Sequence, residues 1–338
     1  MTPMAERTLG TLPVSAIGLG CMNLSHAYGE TPAPEDAARL LNRALDLGVT
    51  LLDTAALYGG GANERLLGEA VRHRRDSFVL ASKCVLDLAD GKRILDGSPA
   101  AIARSLDGAL ARLRTDHIDL YYLHRLDPNV PIEESVGALA RAREAGKIGA
   151  IGLSEMSAAT IERAHAVHPI AAVQSEYSPM VRNPEVAVLD TCRRLGIGFV
   201  AFSPVARGML AGAVRAADYV AGDIRLAMPR FVEPNLAHNL RAVAAFEALA
   251  DEIGCTPGQL SLGWVLAQGD TVVPIPGTRS IAHLEENLGA AGLVLDPDMI
   301  TRINAIFAPG AIRGARYPAG AQAQVGTELL PDEELAAG

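Results

Sequence analysis

Eight short apolar runs recur along the chain: Ala16–Leu19, Val49–Leu52, Phe78–Ala81, Ile118–Leu123, Ile148–Leu153, Ile170–Val173, Ile197–Phe202 and Val272–Ile275. Each is dense in Val, Ile or Leu with little alternation, as strands buried on both faces require. The intervals read as helices. Ala37, Leu40, Leu41, Ala44 and Leu45 form one apolar stripe, with Arg39, Asn42, Arg43 and Asp46 opposite. Ser98-Pro99 and Thr256-Pro257 are helix starts, with proline suited to the first helical position, and Asn63 reads as an N-cap before ERLLGEAV. Strands alternating with helices imply parallel pairing, and eight such units favour closure over an open sheet. The expected fold is therefore an α/β (β/α)8 TIM barrel.

Two additions to the plain barrel are expected. ERTLGTLPVSAI reads as an N-terminal β-hairpin, turning at Leu9–Leu12, that caps the barrel floor. From Ser203 to about Asn235, glycines and prolines interrupt any periodicity, and loops of that length are usually functional. No linker divides the chain, so residues 1–338 are expected to form a single domain with a core of about 9–306. The tail 308–338 is rich in Gly, Ala and Pro and then acidic, and is expected to be partly disordered.

Composition limits the function classes. With 49% hydrophobic but only 4% aromatic residues, the core must be filled mainly by Ala, Val, Leu and Ile. A net charge of -9 argues against nucleic-acid binding, which needs a basic face. No apolar run is long enough to span a membrane, and MTPMAERTLG lacks the pattern of a secretion signal, so a cytoplasmic location is expected. Cys21, Cys84, Cys192 and Cys255 show no metal or disulfide spacing, and no metal site is expected. The oligomeric state is not legible.

A barrel enzyme places its reacting groups where strands end and loops begin. Asp53 closes the second run, Tyr58 lies a few residues into the following loop, Lys83 follows the third run and His124 the fourth. A phenol is a feeble acid at neutral pH, and an adjacent ammonium lowers its pKa. Lys83 can supply that ammonium, Asp53 can hold it charged, and a neutral His124 can align a carbonyl oxygen beside the Tyr58 hydroxyl. Carbonyl reduction needs this arrangement, because oxygen takes up a proton as carbon receives a hydride.

DTAALYG, VLASK, YYLHR, GLSE, VQSEYS, AFSPVARG and PIPGTRSIAHLEENLGA, in this order, resemble the motif series of the aldo-keto reductase superfamily. The resemblance runs from about Leu9 to Ile306; HRLDPNVPIEESVGAL and SEYS are most similar to the perakine reductase and auxin-induced-type branch. It implies Asp53, Tyr58, Lys83 and His124 as a catalytic tetrad and NADPH, rather than NADH, across the barrel mouth. It implies that Ser154 and Gln174 hold the nicotinamide amide and that Phe202 stacks on the ring. The loop from Ser203, with Arg207, would meet the pyrophosphate. Gly277, Thr278, Arg279 and His283 would receive the 2′-phosphate, and Glu286 and Asn287 would face the adenine. Two positions depart from the common pattern: Glu155 stands where many members carry Asn, and Gly277 where some carry Lys.

The substrate is expected to be a small-molecule aldehyde or ketone. Met22, Asn23, His26, Tyr28, the 85–96 loop, Met156, Tyr177–Met180 and the tail near Tyr317 are expected to line its pocket. No arginine stands out as a carboxylate receptor, which favours neutral carbonyls. Two other readings use the same residues: an aldolase-like barrel with Lys83 as Schiff-base nucleophile, and an NADP-binding partner subunit with little turnover, as the family's potassium-channel subunits imply.

Overall fold

The computed structural model describes residues 4–89, 92–331 and 333–336. The extreme N-terminal residues, the tip of the 85–96 loop, Asp332 of the acidic tail and the last two residues lie outside these, with the expectations that fall on them. A hairpin of β1 (Glu6–Leu9) and β2 (Leu12–Ser15) opens the fold, antiparallel with Leu9 opposite Leu12. The eight apolar runs become β3 (Leu19–Gly20), β4 (Leu51–Asp53), β5 (Val79–Cys84), β8 (Ile118–Leu123), β9 (Ile148–Ser154), β10 (Ile170–Glu176), β11 (Gly198–Phe202) and β12 (Val272–Pro274). A second hairpin, β6 (Leu86–Ala89) and β7 (Lys92–Leu95), interrupts the series after β5. All eight pair in parallel in the order β3-β4-β5-β8-β9-β10-β11-β12. The ring closes where Gly18 N donates to Pro274 O at 3.0 Å and Gly20 N to Pro276 O at 3.3 Å.

Helices α1 (Pro34–Asp46), α2 (Ala62–Ala70), α3 (Pro99–Leu113), α4 (Ile132–Glu144), α5 (Ala158–Val167) and α6 (Val188–Leu195) return the chain between successive strands. Helices α7 (Asn235–Ile253), α8 (Pro257–Leu266), α9 (Ile281–Gly289) and α10 (Pro297–Ile306) complete the outer layer, and a single turn, α11 (Ala319–Gln322), lies in the tail. Ser98 caps α3 through Ala101 N, and Thr256 with Gln259 forms a reciprocal capping box on α8. The 203–235 segment is built of short 3-10 turns.

The core has two parts. Helices and outward-facing strand residues form the larger one. The smaller fills the barrel, where Leu9 and Val14 of the hairpin meet Leu51, Leu120, Tyr122 and Val200. The hairpin is thus a plug whose apolar side completes the barrel interior. Arg7 fixes it to the far side by donating to Gly269 O at 2.7 Å and Leu266 O at 2.9 Å.

One expectation is corrected. Asn63 is not the N-cap of α2: Gly61 holds that position at φ 81°, a left-handed conformation that favours glycine. Asn63 lies one residue inside the helix and turns inward, accepting from Thr54 Oγ1 at 2.6 Å and donating to Cys21 O at 2.8 Å. In the tail, Ala315, Arg316, Tyr317 and Thr327 are buried against the C-terminal ends of the strands. Its charged residues find buried partners there, a possibility that composition cannot register.

Candidate active site

β4, β5 and β8 are neighbours in the sheet, so their C-terminal ends bring Asp53, Lys83 and His124 together, and the loop after β4 folds Tyr58 over them. Lys83 Nζ donates to Asp53 Oδ1 at 2.5 Å, to Thr54 O at 2.9 Å and to Tyr58 Oη at 3.3 Å. The Tyr58 and His124 rings meet edge to face, 5.9 Å between centroids. Lys83 is 0% and Asp53 3% exposed, whereas His124 and Tyr58 reach 6% and 9%, so the pair is enclosed more deeply than the phenol and imidazole. Gln174 adds a brace, donating from Nε2 to Asp53 Oδ2 at 2.8 Å.

The electrostatics follow from burial. Burial favours a neutral amine at Lys83, but Asp53 and Tyr58 together outweigh it and keep the ammonium above its ordinary pKa. For His124, burial and then the charges of Arg125, Lys83 and Arg93 push the imidazole well below its ordinary range, so it is neutral at pH 7. Tyr58 departs from the sequence expectation: burial raises its pKa by more than Lys83 lowers it. The phenol therefore remains protonated, a donor rather than a phenolate, at neutral pH.

The mouth residues expected to hold a cofactor divide into two groups. Ser154 ends β9 with its hydroxyl accepting from Arg125 Nη1 at 3.3 Å, and half-buried Phe202 ends β11. Ser203, Ala206 and Arg207 all have positive φ, a strained run in the loop that follows β11. Thr278 is buried and folds back on Ser280, while Arg279 and His283 are exposed at the start of α9, with Arg279 donating to the backbone oxygen of Glu30. Asn287 is half-buried along the same helix. Gly277 is pressed against the first strand, where a β-carbon would lie 2.9 Å from Gly20 O.

The second group is engaged elsewhere. Arg207 is buried, donating to Glu176 Oε2 at 3.0 Å and to Tyr317 Oη at 2.9 Å, and is not free for a pyrophosphate. Glu286 accepts from Thr256 Oγ1 at 2.7 Å, tying α9 to the cap of α8. Met156 is fully enclosed beneath the tail, where Gly326 N donates to Glu155 O at 2.7 Å, so it does not face an open pocket. Tyr177 points into the core against Phe199 and Trp264. Met22 and Tyr28 remain half-buried in the loops after β3.

Sequence reasoning missed two features. The first is a clamp on the tail: Glu155 accepts from Arg316 at 2.9 Å and Thr327 at 2.9 Å, while Glu176 accepts from Arg207 and from Tyr317 Oη at 2.8 Å. Glu155, noted as a departure from Asn, thus has a structural occupation. The second is Arg125, buried directly behind His124; its signal was the R of YYLHR.

Comparison with known proteins agrees with this geometry. A family profile described as the Aldo/keto reductase family matches residues 16–308. The chain is 42% identical over 334 residues to the aldo-keto reductase yakc, NADP(+), of Schizosaccharomyces pombe, covering 96% of this chain and 98% of that one. Among solved structures it is similar to a glycerol dehydrogenase from Gluconobacter oxydans, with TM-score 0.83 and 27% identity over 99% of this chain and 100% of that one. It is also similar to an aldo-keto reductase from Bacillus halodurans in its holo form, with TM-score 0.72 and 28% identity over 93% and 98% of the two chains.

Proposed function

Because the chain belongs to the aldo/keto reductase family, we propose that it reduces an aldehyde or ketone to the alcohol with NADPH, reversibly, and that Tyr58 donates the proton. The observation that carries this reading is the buried series Gln174–Asp53–Lys83–Tyr58, with a neutral His124 beside the phenol. Tyr58 Oη gives its proton to the carbonyl oxygen as negative charge develops there. Lys83, held charged by Asp53, stabilises the phenolate left behind. His124, neutral by burial and by its cationic neighbours, donates a hydrogen bond that aligns the same oxygen.

The mouth residues fit an NADPH. Ser154 and Gln174 are side by side in adjacent strands for an amide, Phe202 offers a flat apolar face, and Arg279 carries an exposed guanidinium whose one acceptor among the described residues is a backbone oxygen. A guanidinium suits a phosphate by forked hydrogen bonds, which supports NADPH over NADH, as does the NADP in the printed name of the fission-yeast relative. When bound, the cofactor supplies the hydride. With Arg207 occupied by Glu176, the pyrophosphate falls to backbone groups of the 203–208 turn.

A Schiff-base role for Lys83 finds no support, since an ammonium held by Asp53 and enclosed by the barrel is a poor nucleophile. Purified protein mixed with NADPH and a panel of aldehydes and ketones should consume the cofactor's near-ultraviolet absorbance. Tight NADPH binding without turnover of any carbonyl would overturn the reading in favour of a cofactor-binding subunit.

A further inference from the structure

Three arginines are more than nine-tenths buried: Arg125, Arg207 and Arg316, at 8%, 9% and 3% exposed. Arg207 faces Glu176, and Arg316 faces both Glu155 and Glu176. Arg125 faces no carboxylate among the described residues. Its Nη1 donates to His124 O at 2.6 Å and to Ser154 Oγ at 3.3 Å, both neutral acceptors. Its Nε is buried without a partner, and its Nη2 makes no hydrogen bond among the described residues. The acidic side chain next along the chain, Asp127, is turned away onto Gly97 N and Asn129. A guanidinium withdrawn from water costs several kcal/mol unless an anion compensates it.

The unpaired edge is the one a carboxylate takes. In this same chain Arg163 holds Glu133 through Nε and Nη2, both at 2.9 Å, and Arg182 holds Glu185 through Nε at 2.9 Å and Nη2 at 2.6 Å. On Arg125 that Nε–Nη2 fork has no partner among the described residues, while Nη1 ties the guanidinium to His124 O and to Ser154 at the end of β9. The surroundings are cationic: the charges of Arg125, Lys83 and Arg93 all act on His124, and the charge of Lys83 is already taken by Asp53.

We infer that the preferred substrates carry a carboxylate close to the reacting carbonyl, as short oxo-acids and acid aldehydes do, and that Arg125 receives it through its Nε–Nη2 edge. This rests on the reductase reading above and replaces the expectation of neutral substrates. Arg125 sets specificity; the proton still comes from Tyr58.

The test compares matched pairs with NADPH: 4-oxobutanoate against its methyl ester, and 4-carboxybenzaldehyde against its methyl ester. The acid of each pair is expected to exceed its ester in kcat/KM by about 10–100-fold, the range for hydrogen bonds to a charged group. In Arg125→Gln the acid-to-ester ratio should collapse towards one, mainly through KM. Arg125→Lys, which keeps the charge but not the fork, should restore only part of it. Simple carboxylates such as succinate should inhibit the wild type competitively with the aldehyde, a readout that needs no variant to fold. Equal rates for acid and ester in the wild type, or a parallel loss for both in Arg125→Gln, would overturn the assignment while leaving the reductase reading intact. Absence of turnover with any of the four compounds, with succinate still displacing a bound carboxylate probe, would instead sink the reductase reading alone.

Discussion

Two clusters of ionised groups are buried at the same end of the barrel, and they are wired differently. Around Tyr58, one carboxylate and one ammonium neutralise each other, yet bonding capacity is left open: His124 Nδ1 is buried without a partner and the Tyr58 hydroxyl donates to nothing among the described residues. Around Arg316, two carboxylates and two guanidiniums share a tyrosine and a threonine, and both carboxylates are satisfied from several sides. Burying charge with spare bonding capacity is costly and suits a site awaiting a reactant. Saturating the carboxylates makes a clamp, although Arg316 Nε and Nη1 are buried there without a partner among the described residues. The contrast lets neighbouring strands of one barrel serve chemistry and closure at once.

The largest expected effect separates the two. Tyr58→Phe should lower kcat by about 100- to 10,000-fold, the range for a positioned proton donor, with NADPH affinity by fluorescence titration unchanged. Retained turnover would erase the distinction by removing the chemical role of the first cluster. Arg316→Ala should act the other way, destabilising the fold by about 3–5 kcal/mol because it strands buried carboxylates. Urea unfolding reads this, and a wild-type midpoint would mean that the clamp carries no load.

Acid should weaken the clamp. Burial alone would raise the Glu176 carboxyl, but Arg207, Arg316 and the Tyr317 hydroxyl outweigh it and hold it at about 2. A carboxylate depressed in the folded state gives its full stabilisation above its ordinary pKa and loses it as pH falls through the folded value. The loss should therefore develop between about pH 5 and pH 2 and amount to about 3 kcal/mol. Glu176→Gln should flatten the stability profile over that window, and a slope unchanged by the substitution would assign the loss to other groups. Smallest of all, Thr327→Ala removes one hydrogen bond to Glu155 and should cost about 1 kcal/mol, measurable as a shift in the same unfolding curve.

The two clusters also differed in legibility. Asp53, Lys83 and His124 each sit at the end of an apolar run, so finding the strands found the residues. Tyr58 was reachable because it lies just beyond one of them. The clamp joins Glu155 and Glu176 to Arg316 across 161 and 140 residues of chain, and no local pattern announces such a pairing. The tail accordingly read as partly disordered, and Met156, which the tail covers, read as a pocket wall. Asn63 looked like a cap because a cap and an inward-turned bracing residue present the same side chain next to a helix start. Arg125 lay in plain view beside His124, but its significance is that its fork is empty, a fact that only three-dimensional neighbours can supply.

The seam between β3 and β12 also governs how the protein can be made. On a ribosome adding about 5–20 residues per second, Gly18 and Gly20 emerge tens of seconds before Pro274 and Pro276, which accept their hydrogen bonds. The carbonyls that hold Arg7, at Leu266 and Gly269, arrive just as late. Until then the nascent chain is a growing curved sheet with one raw edge at its oldest strand and another at its newest. The floor plug is synthesised before the barrel strands and is among the last elements to be fastened.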